Sequence, residues 1–489
     1  MTNTILIQGG TVIGPESTFI GDVEIAGETI RALGVGLPAR EPCTAIDARG
    51  CFVLPGLVDP HTHIALDTGV YRTADDWEIG TRAAACGGVT TVIDFATQLK
   101  GQSLRQAVEA RLAEAEGKAC IDYGLHVMVT DFPLPLGEGK GEGLGALREL
   151  GTPSVKLYTT YRPNYYADDD AILRVLRASS EARVLVMVHC ENDALVTAAT
   201  GQLAASGNTS WRYHPQGRPA LAEQEAVHRV LFLAKSASAS VYIVHCSTGR
   251  SVELVRDARE RCHAASVTYE ADDRRLALAE TCPQYLLLDE ACYQGDHPER
   301  YILQPPLRAA GESETLWRLV AAGAVATVGT DHCDYTLAQK TAVNDFTRTP
   351  GGLPGLETLL PLLYTYGVAR GRLSWPQLVR LCSTNPARIF GLGTRKGNLL
   401  PGAEADVVIY DPRGESTIQA SRLHTIAGYN PYEGWRVEGR VRTTISRGRV
   451  VYRRDKFIGN PGHGRFVPGA PFDPQRAELR NSTPCPLPQ

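Results

Sequence analysis

Five side chains able to bind a cation stand where apolar runs of the sequence end. His61 and His63 close FVLPGLVDPHTHI, His189 closes RVLVMVHC, His245 closes SVYIVHC, and Asp331 stands at the end of AVATVGTDH. Side chains two apart on a strand share a face, so the imidazoles of the H-x-H pair can converge on one ion. Taken singly, each of these histidines reads as a satisfied core residue or a surface residue. As a set at strand ends they are hard to explain as packing. Imidazole and carboxylate suit zinc and related first-row cations, and a neutral imidazole is available near pH 7. Four histidines and an aspartate exceed the three protein ligands of one catalytic zinc, so two cations are expected. Such ions sit roughly 3.5–4 Å apart and need a bridging ligand to offset their repulsion.

Positioning these residues requires strands whose ends share one mouth. Eight strand-like runs can be counted: FVLPGLVDPHTHI, VTTVIDFA, YGLHVMVT, SVKLY, RVLVMVHC, SVYIVHC, LALAETCPQYL and AVATVGTDH. Helix-capable stretches such as TADDWEIGTRAAACG and SVELVRDARERC lie between them. Strands alternating with helices predict an α/β protein with a (β/α)8 TIM barrel, which builds its sites at the C-terminal ends of the strands. An open doubly wound sheet competes, but phosphate-loop candidates such as GGVTT are too weak to support it. The chain ends read differently. TILIQGGTVIG, DVEIAGETIRALG and TAIDARGCFVLPG alternate between glycine-rich turns, and the same texture returns in ADVVIYDP and TTISRGRVVYRRDKFIG. We expect a small antiparallel β-sandwich closed by both ends. The expected boundaries are 1–54 for the first part of the sandwich, 55–395 for the barrel, 396–456 for the second part and 457–489 for a Gly- and Pro-rich arm. Such an arm lies on a neighbouring subunit or forms a disordered tail.

At 489 residues the chain exceeds one average domain, and with 43% hydrophobic and 21% charged residues it can bury a sizeable core. The net charge of -4 supplies no cationic field for nucleic acid or an anionic membrane, which leaves a small molecule as the expected partner. The start, MTNTILIQGG, lacks the basic flank and apolar length of a signal peptide. Nor does any run approach the roughly 20 apolar residues of a membrane span. Twelve cysteines without a C-x-x-C pair, several of them inside apolar runs, read as reduced thiols of a cytoplasmic protein.

The strings VDPHTHI, SVKLY and GTDH, with the paired strand-end histidines, resemble the metal-binding set of the amidohydrolase superfamily. AETCPQYLLLD, PPLR, DHCDYTLAQK, NDFTRTPGGLPGLETLLPLL and STNPARIFGL resemble its dihydropyrimidinase and D-hydantoinase (phenylhydantoinase-like) branch. The likeness runs from the first sandwich strand to NPYEGW and beyond, nearly the whole chain. It implies a cyclic amidohydrolase that opens dihydropyrimidines or 5-substituted hydantoins to N-carbamoyl amino acids. It also implies two divalent ions, zinc first with manganese or cobalt as substitutes. Lys156, otherwise a snorkelling rim residue, becomes an N6-carboxylysine whose carbamate bridges the ions. On this resemblance His61, His63 and Asp331 hold one ion, and His189 and His245 hold the other. Coordination lowers the pKa of the attacking water toward neutrality. Asp331 takes its proton and returns it to the leaving ring nitrogen, and Tyr161 donates to the developing oxyanion.

Two positions depart from the branch. Gln304 stands in QPPLR where relatives have serine, and Gly351 stands in PGGLPG where relatives have asparagine. Both are expected to hold the ring amide through the main chain, so binding survives while substrate preference shifts. Tyr71, Tyr165 and Tyr166, in segments following the first and fourth barrel strands, are expected to shape an apolar recess for a ring substituent. The resemblance further implies a homotetramer. Allantoinase uses a similar metal set but departs from the ETCPQYL and DFT strings. A non-catalytic interaction protein of the same fold would lack much of the ligand set, which is complete here.

Overall fold

The computed structural model describes residues 4–40, 42–131, 143–266 and 276–479. Strands without in/out alternation need cover on both faces, and parallel sheets wrapped by helices provide it. Asp122–Met128, Ser154–Tyr158 and Leu185–His189 are buried at every position. They sit within one eight-stranded parallel sheet. In chain order its strands are Leu57–Thr62, Val89–Thr97, Asp122–Met128, Ser154–Tyr158, Leu185–His189, Val241–Ile243, Ala277–Thr281 and Thr327–Val328, each hydrogen-bonded to the next. All eight runs picked out in the sequence become strands. The sheet meets itself where Thr62 and His332 form a parallel bridge and His63 N donates to His332 O at 2.7 Å. Helices between the strands start at side-chain caps, as when Asp76 accepts from Ile79 N ahead of Trp77–Cys86.

The two chain ends join in a second sheet. Thr4–Ile13 pairs antiparallel with Thr18–Ala26, and parallel with Cys43–Asp47 and Phe52–Pro55. Phe52–Pro55 pairs with Val407–Thr417, and the sheet continues through Arg436–Ser446, Arg449–Arg453 and Lys456–Phe457. Ile5, Ile7, Val23, Ile25, Val53, Val407, Ile409 and Ile445 form its core. This nine-stranded sheet is mixed, a correction to the antiparallel reading. Tight hairpins enforce antiparallel pairing, whereas the strands at Cys43–Asp47 and Phe52–Pro55 return to Thr4–Ile13 through crossovers.

A buried ion cluster ties the sheet to the barrel. Lys396 Nζ lies 2.6 Å from Asp122 Oδ2, 2.6 Å from Asp406 Oδ2 and 2.7 Å from Glu404 Oε2. Arg447 adds a contact from its Nε to Asp122 Oδ1 at 2.9 Å. Asp122 opens the third barrel strand, while Arg447 follows a strand of the sheet.

Beyond Phe457 the described chain, as far as residue 479, lies on its own barrel. Gly464 N, Val467 N, Gly469 N and Phe472 N donate to Ala119 O, Tyr123 O, Gly151 O and Arg183 O at 2.8–2.9 Å. These acceptors cluster where the third, fourth and fifth barrel strands begin, so the segment covers the mouth opposite the strand-end histidines. Val467 and Phe472 bury against Phe390 and Leu392. The rest of the expected arm, 480–489, lies outside the described residues. Among the described residues ten cysteines are free thiols, and no helix is long and apolar enough to cross a membrane.

Candidate metal centre

Because the barrel strands are parallel, the residues at their C-terminal ends face one mouth. His61 and His63 come from the end of the first strand, Lys156 from the fourth, His189 from the fifth, His245 from just beyond the sixth and Asp331 from just beyond the eighth. Extended backbone would carry His245 and Asp331 past the site. Both instead adopt left-handed backbone, φ 37° and 51°, as does Tyr161 at φ 73°. A non-glycine residue held there costs on the order of 1–3 kcal/mol, and such outliers gather at functional sites.

His61 Nε2 and His63 Nε2 lie 3.3 and 3.4 Å from Asp331 Oδ1, and the three residues offer ligand atoms within 4.8 Å of one another. His61 Nδ1 is 2.7 Å from Glu280 Oε1. With its ring proton donated to Glu280, His61 turns the Nε2 lone pair toward Asp331 and toward Lys156 Nζ at 3.4 Å. Across the mouth, His189 Nε2 lies 2.8 Å from Glu191 Oε2, which leaves His189 Nδ1 facing His245 Nε2 at 3.0 Å. Two ring nitrogens that close share either a proton or a cation. The halves adjoin, since the rings of His61 and His245 stack with centroids 5.4 Å apart. The structure thus brings all six expected ligands together.

Electrostatics prepare these groups for ligation. Burial pushes His61, His189 and His245 below the usual imidazole value, and Lys156 adds to the effect, so the rings are neutral near pH 7. Burial raises the Asp331 carboxyl, but His61 and His63 outweigh it and hold the group ionised. Lys156 is 1% exposed, and burial lowers its ammonium to about 8 against the pull of Asp331 and Glu280. About a tenth of the amine is therefore neutral at pH 7, far more than for an ordinary lysine.

Several residues of the site were not picked out in the sequence. Glu280, on the seventh strand, accepts from Tyr242 Oη at 2.8 Å and His245 N at 3.0 Å as well as facing His61. Asp59 accepts from Thr330 Oγ1 at 2.6 Å and His61 N at 3.2 Å. Burial raises both carboxyls to about 7. Glu191 pairs with Arg218, whose guanidinium lies 5.1 Å from the Tyr161 ring. Each acid sits in or beside an apolar run, and that interruption was the available cue.

Tyr161 stands beside His189, with ring centroids 5.0 Å apart, and burial raises its phenol well above the ordinary value, so it keeps its proton. Gln304 and Gly351 adjoin so closely that a Cβ on Gly351 would fall 1.7 Å from Gln304 Oε1. Lys340 Nζ fastens the two segments by donating to Ile302 O at 2.6 Å and Pro350 O at 2.9 Å. Tyr71 Oη donates to Arg348 O at 2.9 Å, and Tyr165 packs on Tyr158 with centroids 5.5 Å apart. Tyr166 is covered by Arg162, whose guanidinium lies 3.5 Å from the ring centroid, and its backbone bridges to Tyr158.

A parallel barrel with imidazoles, a carboxylate and a buried lysine at its C-terminal mouth defines the class of barrel hydrolases built around divalent cations. The amidohydrolase family profile matches residues 52–451. The chain belongs to that family. It is 40% identical over 474 residues to a D-phenylhydantoinase of Escherichia coli O1:K1 / APEC, covering 96% of this chain and 99% of that one. The dihydropyrimidinase structure from Brevibacillus agri NCHU1002 superposes with a TM-score of 0.89 at 36% identity, covering 96% and 99% of the two chains. An L-hydantoinase structure from Arthrobacter aurescens gives 0.86 at 25% identity, covering 96% and 100%.

Proposed function

We propose that this chain hydrolyses the ring amide of dihydropyrimidines or 5-substituted hydantoins, releasing N-carbamoyl amino acids. The observation that carries the reading is the meeting of His61, His63, Lys156, His189, His245 and Asp331 at one mouth of the barrel. The donor set fits a pair of divalent ions, zinc foremost with manganese or cobalt as substitutes. In this reading His61, His63 and Asp331 would hold one ion and His189 and His245 the other, and Lys156, as its carbamate, would be the ligand they share. When bound, such ions polarise a carbonyl and lower the pKa of water. A neutral Lys156 amine is the form that reacts with carbon dioxide, and its lowered pKa supports that modification.

The chain's own groups do the rest. Asp331, ionised and 14% exposed at its side chain, takes the proton of the attacking water at Oδ and returns it to the leaving ring nitrogen. Tyr161 donates its Oη proton to the oxygen on which charge develops. Glu280 and Glu191 hold the His61 and His189 rings in the tautomers the site needs. Main-chain groups at Gln304 and Gly351 hold the ring amide, while Tyr71 and Tyr165 border the space for a ring substituent. From the family likeness we read the chain as a cytoplasmic homotetramer, and free thiols are in keeping with a reducing compartment.

A hydrolysis panel of dihydrouracil, hydantoin, phenylhydantoin and allantoin on metal-replete protein tests the reading. Turnover of any of the first three ahead of allantoin is expected. Turnover of allantoin alone, or of none, would overturn it.

A further inference from the structure

Cys86, Glu357 and His424 form a cluster that the hydrolytic centre does not use. The three residues come from separate parts of the chain: the end of helix Trp77–Cys86, the segment after the eighth barrel strand, and the segment between two strands of the mixed sheet. Their ligand atoms lie within 4.8 Å of one another. Cys86 Sγ is 3.7 Å from His424 Nε2, and His424 Nδ1 is 3.0 Å from Glu357 Oε1. Glu357 Oε2 also accepts from His424 N at 2.8 Å, so the carboxylate grips the residue at both backbone and ring.

The backbone is shaped to allow this. A Cβ on Gly87 would fall 2.6 Å from Leu356 O and 2.7 Å from Glu357 Cα, so the bare glycine lets the Glu357 segment close against the end of the helix. With Nδ1–H donated to Glu357, the His424 Nε2 lone pair points at the thiol. A carboxylate-oriented histidine with its other nitrogen turned to a sulfur is the arrangement that outer carboxylates impose on metal-bound histidines. Tetrahedral zinc, with Zn–S about 2.3 Å and Zn–N about 2.0–2.1 Å, places two such ligand atoms roughly 3.5 Å apart. The observed 3.7 Å needs little movement. Cys86 is buried, whereas the His424 side chain is 29% exposed and leaves a route from solvent. Burial, with the Glu357 carboxylate adding to it, pushes the Cys86 thiol up and keeps it protonated, so the thiolate forms only when a cation displaces its proton; the nearby Arg82, already paired with Glu78, does not neutralise the charge.

We propose that this cluster is a separate metal site, which takes one thiophilic divalent cation of the zinc class through the Cys86 thiolate and His424 Nε2. Water completes the coordination, Glu357 fixes the ring, and the thiol proton leaves to solvent on binding. Nitrogen and sulfur donors select zinc, cadmium or cobalt over magnesium and calcium. The site stands independently of the hydrolytic reading.

The test is titration of full-length, metal-replete protein with cobalt, read by sulfur-to-cobalt charge-transfer absorption in the near ultraviolet. The proposed hydrolytic ligand set contains no sulfur, so the band reports a thiolate site. We expect a band that saturates at one further equivalent per chain, is lost in Cys86→Ser and in His424→Ala, and requires about 10–100-fold more cobalt in Glu357→Gln. Absence of the band in the unaltered protein, or its persistence in Cys86→Ser, overturns the proposal. Native-like circular dichroism of Cys86→Ser establishes that it folds, and if it does not, His424→Ala decides the question in the same way.

Discussion

In the proposed mechanism the Tyr161 side chain meets two demands: it donates a hydrogen bond, and it does so beside His189, a proposed cation ligand. Its raised pKa keeps the phenol protonated, and left-handed backbone at the end of the fourth strand brings the ring against His189. Tyr161→Phe is expected to lower kcat by about 10²–10³ while KM changes little, because the lost donor acts on charge that develops after binding. Gln304 and Gly351 are coupled by contact. Gly351→Ala is expected to raise KM for ring substrates by forcing the Gln304 carboxamide aside, and Gln304→Ser in the same chain is expected to restore it. Steady-state kinetics of the single and double variants would show whether the two effects fail to add. The histidines proposed as cation ligands were legible because imidazoles repeatedly end apolar runs. Glu280 and Glu191 were not, since a lone carboxylate in such a run names no partner. Glu280 meets His61 across 219 residues of sequence, a contact that only the closed barrel creates.

At the scale of elements, the eight strands were readable from continuous apolar runs bounded by helix-capable stretches. Their extents were not. Val241–Ile243 and Thr327–Val328 are much shorter than the runs containing them, because the chain leaves the ladder to present His245 and Asp331. The mixed character of the second sheet was also hidden, as alternation reports burial of one face and is silent on strand direction. The cluster at Lys396 joins that sheet to the barrel. Lys396→Met would leave three carboxylates without their shared cation, and removal of one partner from a buried ion network costs about 3–5 kcal/mol. Thermal or denaturant unfolding measures the loss. The pH dependence has a definite sign. Burial alone would raise Glu404, but Lys396 and Arg395 hold it at about 2 against an ordinary 4.5. Its contribution is complete above the ordinary value and disappears as pH falls toward 2. The stability gap between the unaltered protein and Lys396→Met should therefore narrow in that acid window.

Over the whole molecule, the two mouths of the barrel divide the work. The described C-terminal segment packs Val467 and Phe472 against the mouth where the third to fifth strands begin, and the six proposed cation ligands gather at the other. That division is general for this architecture, with stability at one face and chemistry at the opposite one. Glycine and proline content marked the C-terminal stretch as irregular, but the backbone hydrogen bonds that dock it to its own barrel have no sequence signature. Everything proposed for catalysis depends on two cations held among six side chains at the chemical mouth. Anomalous X-ray scattering at the zinc edge, from crystals of the zinc-loaded protein, locates them directly. The account predicts two peaks about 3.5–4 Å apart, one beside His61, His63 and Asp331 and the other beside His189 and His245, with Lys156 between them. A single peak there, or density for zinc only elsewhere in the molecule, would contradict it.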